Sequence, residues 1–301
     1  METYDWMAKY TPQTEWIERR GALLWLAFFF IELGAGIFFI ASFFDNLQAM
    51  FTGWSVCAIL GGGFHLVFLG KPARFWRIVF SSGWQTSWIS RGLIFVSLFL
   101  ILGLVHLALI QWAESSTALL IIIDIFAFLT IIYGGFAMNY VNGIPLWNTA
   151  LLPVLYVVSG LLGGAEIVLG INVAGGEISS GIAIEEWIRI LLMGYVILIP
   201  IYLLSTRYTS VTGQASVRNM LLGKWSPVFW IVAVLVGMGV PAAAIVSSYV
   251  MGLEATPGVL LYIAIFSGLI GDLAVRNLIL RCGLYSPLIP SSSTQTIPAR
   301  S

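Results

Sequence analysis

Several hydrogen-bonding side chains, Tyr133, Trp147 and Asn148 among them, gather in the stretch YGGFAMNYVNGIPLWNT, residues 133–149. Tyr133 lies near the end of a long apolar run, whereas Trp147 and Asn148 lie at the start of the next one. A phenol, an indole and a carboxamide can each donate a hydrogen bond, so together they could hold the oxygen atoms of a ligand. Tyrosine and tryptophan are also common in the aromatic belts of membrane proteins, and that interpretation needs no ligand.

Three acidic residues stand inside other apolar runs. Glu32, Asp124 and Glu166 have no cation nearby in the sequence, and an ionisable group within a membrane is costly unless it faces a cavity or a partner. Acids at successive depths could pass protons through water, because each can bind and release one. Alternatively, each acid is neutral and hydrogen-bonded to a neighbouring helix. Asp272 and Arg276 are one helical turn apart and are expected to neutralise each other.

The elements that carry these residues are transmembrane helices. Of the 301 residues, 59% are hydrophobic and only 9% are charged, which is too few polar side chains to coat a soluble globule. Eight apolar runs reach the length of about 20 residues that crosses a bilayer. The predicted spans are Gly21–Phe44, Met50–Leu69, Ser87–Ile110, Ser116–Met138, Leu146–Gly170, Glu186–Ser205, Pro227–Val250 and Gly258–Leu280.

These runs predict an all-α integral membrane protein, with eight helices in two packed bundles and both termini on the same side. Residues 1–20 are expected to form an interfacial amphipathic segment, because they mix charges with tryptophan. Residues 21–280 form the transmembrane domain. Residues 281–301 form a polar tail without apolar periodicity, either disordered or ordered by a partner.

The cations are distributed unevenly between the predicted faces. When each lysine and arginine is assigned to the nearest helix end, Arg189 alone falls on the face opposite the termini. By the positive-inside rule, this places both termini in the cytoplasm. Some of these cations could instead dock a partner subunit, and Lys71, Arg74 and Arg77, between the second and third spans, are the candidates.

The predicted spans also set the depth of each candidate. Tyr133 lies about a turn and a half before the cytoplasmic end of the fourth helix. Pro145 is expected in the first turn of the fifth helix, with Trp147 and Asn148 just inside it. The three acids differ in depth, since Glu32 is near mid-membrane, Asp124 is further out and Glu166 is close to the outer face.

The histidines and cysteines argue against a bound haem or metal. The chain has two histidines, and His65 and His106 differ in predicted depth by about 20 Å, too far to clamp one iron. Cys57 and Cys282 have no partner at metal-ligand or disulfide spacing. We therefore expect no haem and no metal in this chain.

Two segments resemble motifs of one membrane-protein family. HLVFLGKPARFWRIVFSSGWQTSWISRG, residues 65–92, resembles the motif between the second and third helices of the NrfD/PsrC family. YGGFAMNYVNGIPLWNTALLPVLYVVSGLLGGA, residues 133–165, resembles the family's next characteristic segment, in which a tyrosine precedes P-L-W-N. Members of this family are the membrane subunits of polysulfide-reductase-type complexes.

The resemblance implies a quinone-binding membrane anchor of a respiratory oxidoreductase. Such a subunit has no redox centre of its own, and it passes electrons between the pool of menaquinone or ubiquinone and a ferredoxin-like iron–sulfur subunit. That partner in turn serves a catalytic subunit that carries molybdopterin or a similar cofactor. Localisation in the cytoplasmic membrane is implied, and no nucleic acid is involved.

The family's quinone-binding tyrosine corresponds to Tyr133, because its distance to P-L-W-N is preserved. The family's asparagine and histidine on the first helix have no counterpart in ALLWLAFFFIELGAG, so Glu32 or His65 is expected to replace them. Trp147 and Asn148 complete the predicted quinone site. A quinone needs hydrogen-bond donors for two carbonyl oxygens and a supply of protons, and these residues would provide both.

A second class of function also explains acids within the membrane. A secondary transporter, or another proton-conducting membrane subunit, would place Glu32 and Asp124 near its midplane. The sequence, however, shows no convincing internal repeat and no paired interrupted helices. Co-purification with an iron–sulfur subunit would distinguish the two classes.

Overall fold

A computed structural model of the protein describes residues 7, 9–79, 82–110, 116–176 and 178–288. Within these residues, eight helices are long and apolar enough to span a membrane, and this confirms the predicted all-α fold. The helices are α1 (Gly21–Phe43), α2 (Leu47–Leu69), α3 (Trp88–Leu109), α4 (Thr117–Asn139), α5 (Leu151–Gly175), α6 (Ile178–Thr209), α7 (Val211–Leu222), α8 (Val228–Met251) and α9 (Gly258–Cys282). All except α7 are spans.

Neighbouring spans pack on one another within α1–α4 and within α5–α9. The two sets meet chiefly where α1 packs against α5, and α4 also contacts α5. A Cβ on Gly36 of α1 would lie 2.1 Å from the carbonyl oxygen of Gly160 in α5, so the two backbones touch. Small residues allow this approach, since helices in lipid associate through close packing.

The second helix contains a π-helical segment that affects the site. Val56–Gly61 is π-helical, and α-helix resumes from Gly62 to Leu69. Cys57 and Gly61 are buried against α1, where a Cβ on Gly61 would lie 2.4 Å from Cγ1 of Ile31. His65 follows Gly61 by four positions on α2, and its side chain packs on α1. Such π-helical segments often lie at functional sites.

The two ends of the chain meet on one side of the molecule. Strand β1 (Thr11–Pro12) pairs antiparallel with strand β2 (Leu284–Tyr285), so the segments that flank the eight spans lie together. Residues 9–20 otherwise form turns, and the ring of Trp16 packs 5.3 Å from that of Trp147. Residues 1–6 and 8 of the predicted amphipathic segment, and 289–301 of the predicted tail, lie outside the described residues.

The predicted start of the fifth helix is wrong by five residues. Helix α5 begins at Leu151, so Pro145, Trp147 and Asn148 lie in the preceding turn and outside the helix. The carbonyl of Ile144 accepts hydrogen bonds from the amides of both Trp147 and Asn148, at 2.9 Å each, and this closes a separate turn. The proline in the first turn of α5 is Pro153, where no amide proton is needed.

Candidate functional site

An aromatic cluster near the termini side of the bundle, called the Tyr133 pocket below, brings together residues from four helices. Phe28 of α1 lies at its centre, with the rings of His65 and Tyr133 each 5.6 Å from it, centroid to centroid. Gly92 of α3 faces the Tyr133 ring, and a Cβ there would lie 2.0 Å from Cδ2 of the tyrosine. The pocket therefore unites residues from both segments that the family resemblance singled out.

One buried polar atom in this pocket lacks a partner among the described residues. It is Nδ1 of His65. Tyr133 is 4% exposed as a residue, and its hydroxyl, which is not fully buried, makes no hydrogen bond to the described residues. Buried polar atoms are nearly always hydrogen-bonded, so each exception calls for a ligand, a water molecule or a strained state.

The other two residues of the predicted site are separate from this pocket. Trp147 is fully buried, and its Nε1 donates a 2.8 Å hydrogen bond to the carbonyl of Ile279 in α9. Asn148 is exposed and donates to the Asn139 carbonyl at 2.6 Å and to Asn142 Oδ1 at 3.0 Å. Both side chains thus have partners that tie the turn before α5 to its neighbours.

Glu32 is paired with a cation that the sequence pattern did not associate with it. Arg276 of α9, 244 residues away, donates from Nη1 to Oε2 of Glu32 at 2.5 Å and from Nη2 to Oε1. Both residues are almost fully buried. Such a bidentate pair fixes the orientation of both side chains, and it engages both carboxylate oxygens of Glu32.

Arg276 has further partners on two helices. Its Nε donates to Asp272 at 2.8 Å, which agrees with the predicted neutralisation, and its Nη2 donates to Ser159 of α5 at 2.5 Å. Asp272 also accepts a 2.9 Å hydrogen bond from the hydroxyl of Tyr195. The guanidinium lies 4.4 Å from the ring centroid of Tyr156. We call Glu32, Ser159, Asp272 and Arg276 the Arg276 cluster.

The structure separates the acids of the predicted proton path. Asp124 lies between α1 and α4, where its Oδ2 is 3.0 Å from Ser42 Oγ. Glu166 of α5 is 4% exposed and makes no hydrogen bond to any described residue. Its carboxylate faces α9, where a Cβ on Gly268 would lie 2.6 Å from Oε1. Along α9, Asp272 and Arg276 follow Gly268 at intervals of one helical turn. Glu166 and Glu32 therefore both lie against α9. Asp124 is separate from these two acids.

The predicted docking cations lie on the surface. Lys71, Arg74 and Arg77 are exposed in the connection between α2 and α3. This connection is on the termini side, since Arg20, just before α1, donates from Nη2 to the carbonyl of Val67 at 3.0 Å. The three cations and the Tyr133 pocket thus belong to the same half of the molecule.

The two histidines occupy different depths, in agreement with the sequence. His65 packs against Phe28, whereas His106 packs 6.5 Å from Phe38, ten positions further along α1. Ten helical residues span about 15 Å. No group of three or more histidine, cysteine or acidic side chains suitable for a metal occurs within the described residues.

Sequence reasoning missed three contributors to this region. Phe28 stands in an apolar run without any distinguishing pattern, and Arg276 was assigned to its helical neighbour Asp272 alone. Gly92 is the last residue of the first motif, and its close contact with Tyr133 explains why glycine is needed there. The position of Gly92 at the end of that motif was the one sequence feature that could have identified any of the three residues.

Comparison with known families covers nearly the whole chain. The profile described as "Polysulphide reductase, NrfD" matches residues 19–287, a range that contains all eight spans. A comparison with curated proteins gives no match. The family match agrees with the eight-span fold and with the two motifs that meet at the Tyr133 pocket. The chain therefore belongs to the NrfD family, the membrane subunits of polysulphide-reductase-type complexes.

Proposed function

We propose that this protein is the quinone-binding subunit of a membrane oxidoreductase complex. It passes electrons between the quinone pool and an iron–sulfur partner subunit. The observation that carries this proposal is Nδ1 of His65, a buried nitrogen without a partner among the described residues, whose ring packs on Phe28 together with that of Tyr133. Family membership supports the same conclusion.

The residues of the pocket fit a quinone headgroup. Tyr133 donates a hydrogen bond to one carbonyl oxygen, and a protonated His65 nitrogen donates to the other. Phe28 packs against both rings and would supply an apolar surface for the quinone ring. When bound, the quinone supplies the two-electron, two-proton chemistry. The protein residues hold its oxygens and exclude water from the ring.

Glu32 takes an indirect role in this proposal. Its two oxygens accept hydrogen bonds from Arg276, so it is not a free ligand for the quinone. It lies one helical turn beyond Phe28 on α1, and it holds a guanidinium close to the pocket. We assign Glu166 and Glu32, on either side of α9, to the supply of protons, and leave Asp124 out of that path.

The distribution of positive charge indicates where a partner subunit would dock. Lys71, Arg74 and Arg77 form an exposed basic surface on the same half as the Tyr133 pocket, and we assign them to docking of the iron–sulfur subunit. A short path between cluster and quinone requires docking on this side. The excess of cations on this face supports a cytoplasmic location for it, by the positive-inside rule. A catalytic subunit with molybdopterin or a similar cofactor completes the complex.

The transporter alternative lacks a comparable observation. Transporters place their substrates at unwound segments of broken helices. Here the irregular spans, α2 and α8, contain π-helical segments, Val56–Gly61 and Val228–Gly239, and stay helical throughout. Glu32, one of the two acids that a transporter would place near its midplane, is instead paired with Arg276.

Tyr133→Phe tests the proposal, because it removes one hydroxyl and keeps the ring. That hydroxyl has no internal partner, so we expect stability to be unchanged. Quinone-linked turnover should fall about tenfold to a hundredfold, which corresponds to about 1.5–3 kcal/mol for a hydrogen bond to an oxygen that gains negative charge. Turnover of the complex with an artificial soluble electron carrier should stay normal, since that route bypasses the site.

Tyr202→Phe is the matched control. Tyr202 is 1% exposed, and its hydroxyl donates to the carbonyl of Leu146 at 2.5 Å. Its loss should lower stability by about 0.5–1.5 kcal/mol and leave quinone turnover unchanged. A fully assembled Tyr133→Phe complex with normal quinone turnover would assign Tyr133 to an aromatic belt and refute the proposed site.

A further inference from the structure

A groove between α1 and α4 faces the lipid in the half of the membrane away from the termini. Its walls include Phe39 and Phe43 of α1 and Phe128 of α4, and Asp124 is the acid among its lining residues. The groove is open on one side, since Phe43 is 56% exposed and Ile125 is 53% exposed. A carboxyl group in such a position is costly in lipid unless a partner compensates it.

The internal partner of Asp124 satisfies only part of its hydrogen-bonding capacity. Oγ of Ser42 lies 3.0 Å from Oδ2 of Asp124 and 2.7 Å from the carbonyl oxygen of Phe39. A serine has one hydroxyl proton, so it cannot donate to both acceptors at once. Oδ1 of Asp124 is buried and has no partner among the described residues. Asp124 is itself a lining residue of the groove, so a ligand there would lie against its carboxyl group.

The aromatic walls favour a flat ligand. The ring of Phe39 lies 5.2 Å from that of Phe43 and 6.2 Å from that of Phe128, centroid to centroid. Three phenyl rings at these distances offer faces and edges against which another ring can pack. A ligand here would combine a flat apolar ring with one oxygen that meets the carboxyl group.

The depth of Asp124 narrows the class of ligand further. Asp124 is seven positions from the first residue of α4, Thr117, and therefore about 10 Å below that end of the helix. The charged headgroups of phospholipids stay at the interface. A ring with a hydroxyl or carbonyl group dissolves in the hydrocarbon region. Such an oxygen pairs with the carboxyl group in either protonation state, because a carboxylate accepts from a hydroxyl and a carboxylic acid donates to a carbonyl.

We propose that this groove is a binding site for a lipid-soluble ring that bears a hydroxyl or carbonyl oxygen, of the phenol or quinone class. It is separate from the Tyr133 pocket. Asp124 and Tyr133 are nine positions apart on α4, about 14 Å along its axis and half a turn out of phase. The inference therefore goes beyond the proposed function, and it holds whether or not Tyr133 binds a quinone.

Photolabelling tests this site without a measurement of activity. The full-length protein in lipid nanodiscs is exposed to a short-tailed azido-1,4-naphthoquinone, and labelled peptides are quantified by mass spectrometry. We expect labelling of residues 117–129 above that of Ile231 and Leu235, which are exposed on α8 and report non-specific partition into lipid. Unlabelled naphthoquinone should compete, whereas an alkane of similar size should not.

Two variants of Asp124 and one of Tyr133 complete the design. Asp124→Leu removes the polar group and should reduce groove labelling at least about tenfold, whereas Asp124→Asn keeps hydrogen-bonding capacity and should retain most of it. Tyr133→Phe should leave groove labelling unchanged. Only correctly folded fractions are compared, and the wild-type competition result stands even if a variant fails to fold. Labelling no greater than on α8, or equal labelling in a folded Asp124→Leu variant, would overturn the proposal.

Discussion

The Arg276 cluster and the Tyr133 pocket lie one turn apart along α1, yet their buried polar groups differ in one respect. In the cluster, every nitrogen of Arg276 donates a hydrogen bond to Glu32, Asp272 or Ser159. In the pocket, the buried Nδ1 of His65 has no partner among the described residues. The hydrogen bonds of the first region join helices, whereas the second has a hydrogen-bonding atom that a further molecule could use under the proposed function.

This difference separates structural polar residues from binding residues within one membrane domain. A buried ion pair is costly to break, because the remaining charge is left without compensation. An unpaired buried group already bears the cost of burial, so its removal should change stability little and binding strongly. Changes in the Arg276 cluster should therefore lower stability strongly. Changes in the Tyr133 pocket should leave stability nearly unchanged and lower quinone turnover strongly.

The largest expected effect is the loss of stability from Arg276→Leu. This change leaves Glu32 buried without a cation, and the free energy of unfolding should fall by about 3–5 kcal/mol. Unfolding in mixed micelles with increasing SDS would measure it. Arg281→Leu, on the same helix, is the control, because Arg281 bonds to the neutral Asn277 and its loss should cost no more than about 1.5 kcal/mol.

Equal losses for the two arginine variants would contradict this distinction. They would mean that the Arg276 cluster contributes no more to stability than an arginine at the helix end. The Arg276 cluster would then no longer count as a structural region that contrasts with the pocket. The proposal for Tyr133 would be unaffected.

Gly92→Ala should have an intermediate effect on stability and a large one on the pocket. Its Cβ would fall 2.0 Å from Cδ2 and 2.4 Å from Cε2 of Tyr133, so the ring must move. We expect a loss of about 1–3 kcal/mol from overpacking, and quinone turnover reduced at least as much as in Tyr133→Phe. Gly63→Ala is the control, since a Cβ there meets nothing within 4 Å. Normal turnover in Gly92→Ala would show that the position of the Tyr133 ring is unimportant.

The helices were predictable because hydrophobic length alone identifies a membrane span. The start of α5 was missed because Leu146 is apolar and fully buried although it lies in a turn, so hydropathy counted it as helix. A span predicted from composition extends to the last apolar residue, whereas the backbone ends the helix where its hydrogen-bonding pattern changes.

The candidate site was predictable only in part, for a related reason. Tyr133 and His65 stood out because polar side chains at the end of apolar runs are visible in the sequence. The pairing of Glu32 with Arg276 joins positions 244 residues apart, and nothing in either local pattern indicates the contact. Asp272 offered Arg276 a nearer partner, and a guanidinium has enough donors to serve both acids.

His65→Phe should change stability less than Arg276→Leu or Gly92→Ala, although its effect on turnover should be large. The variant replaces one ring with another against Phe28 and removes a buried nitrogen that has no partner among the described residues. Stability should thus change by less than about 1 kcal/mol, in either direction, whereas quinone turnover should fall about tenfold or more if His65 binds the second oxygen. His106→Phe, whose ring lies by Phe38 far from the pocket, should leave turnover unchanged. A clear loss of stability in His65→Phe would mean that the imidazole already has a partner, such as a bound water molecule. The pocket would then resemble the Arg276 cluster, and Tyr133 would be left as its single free donor.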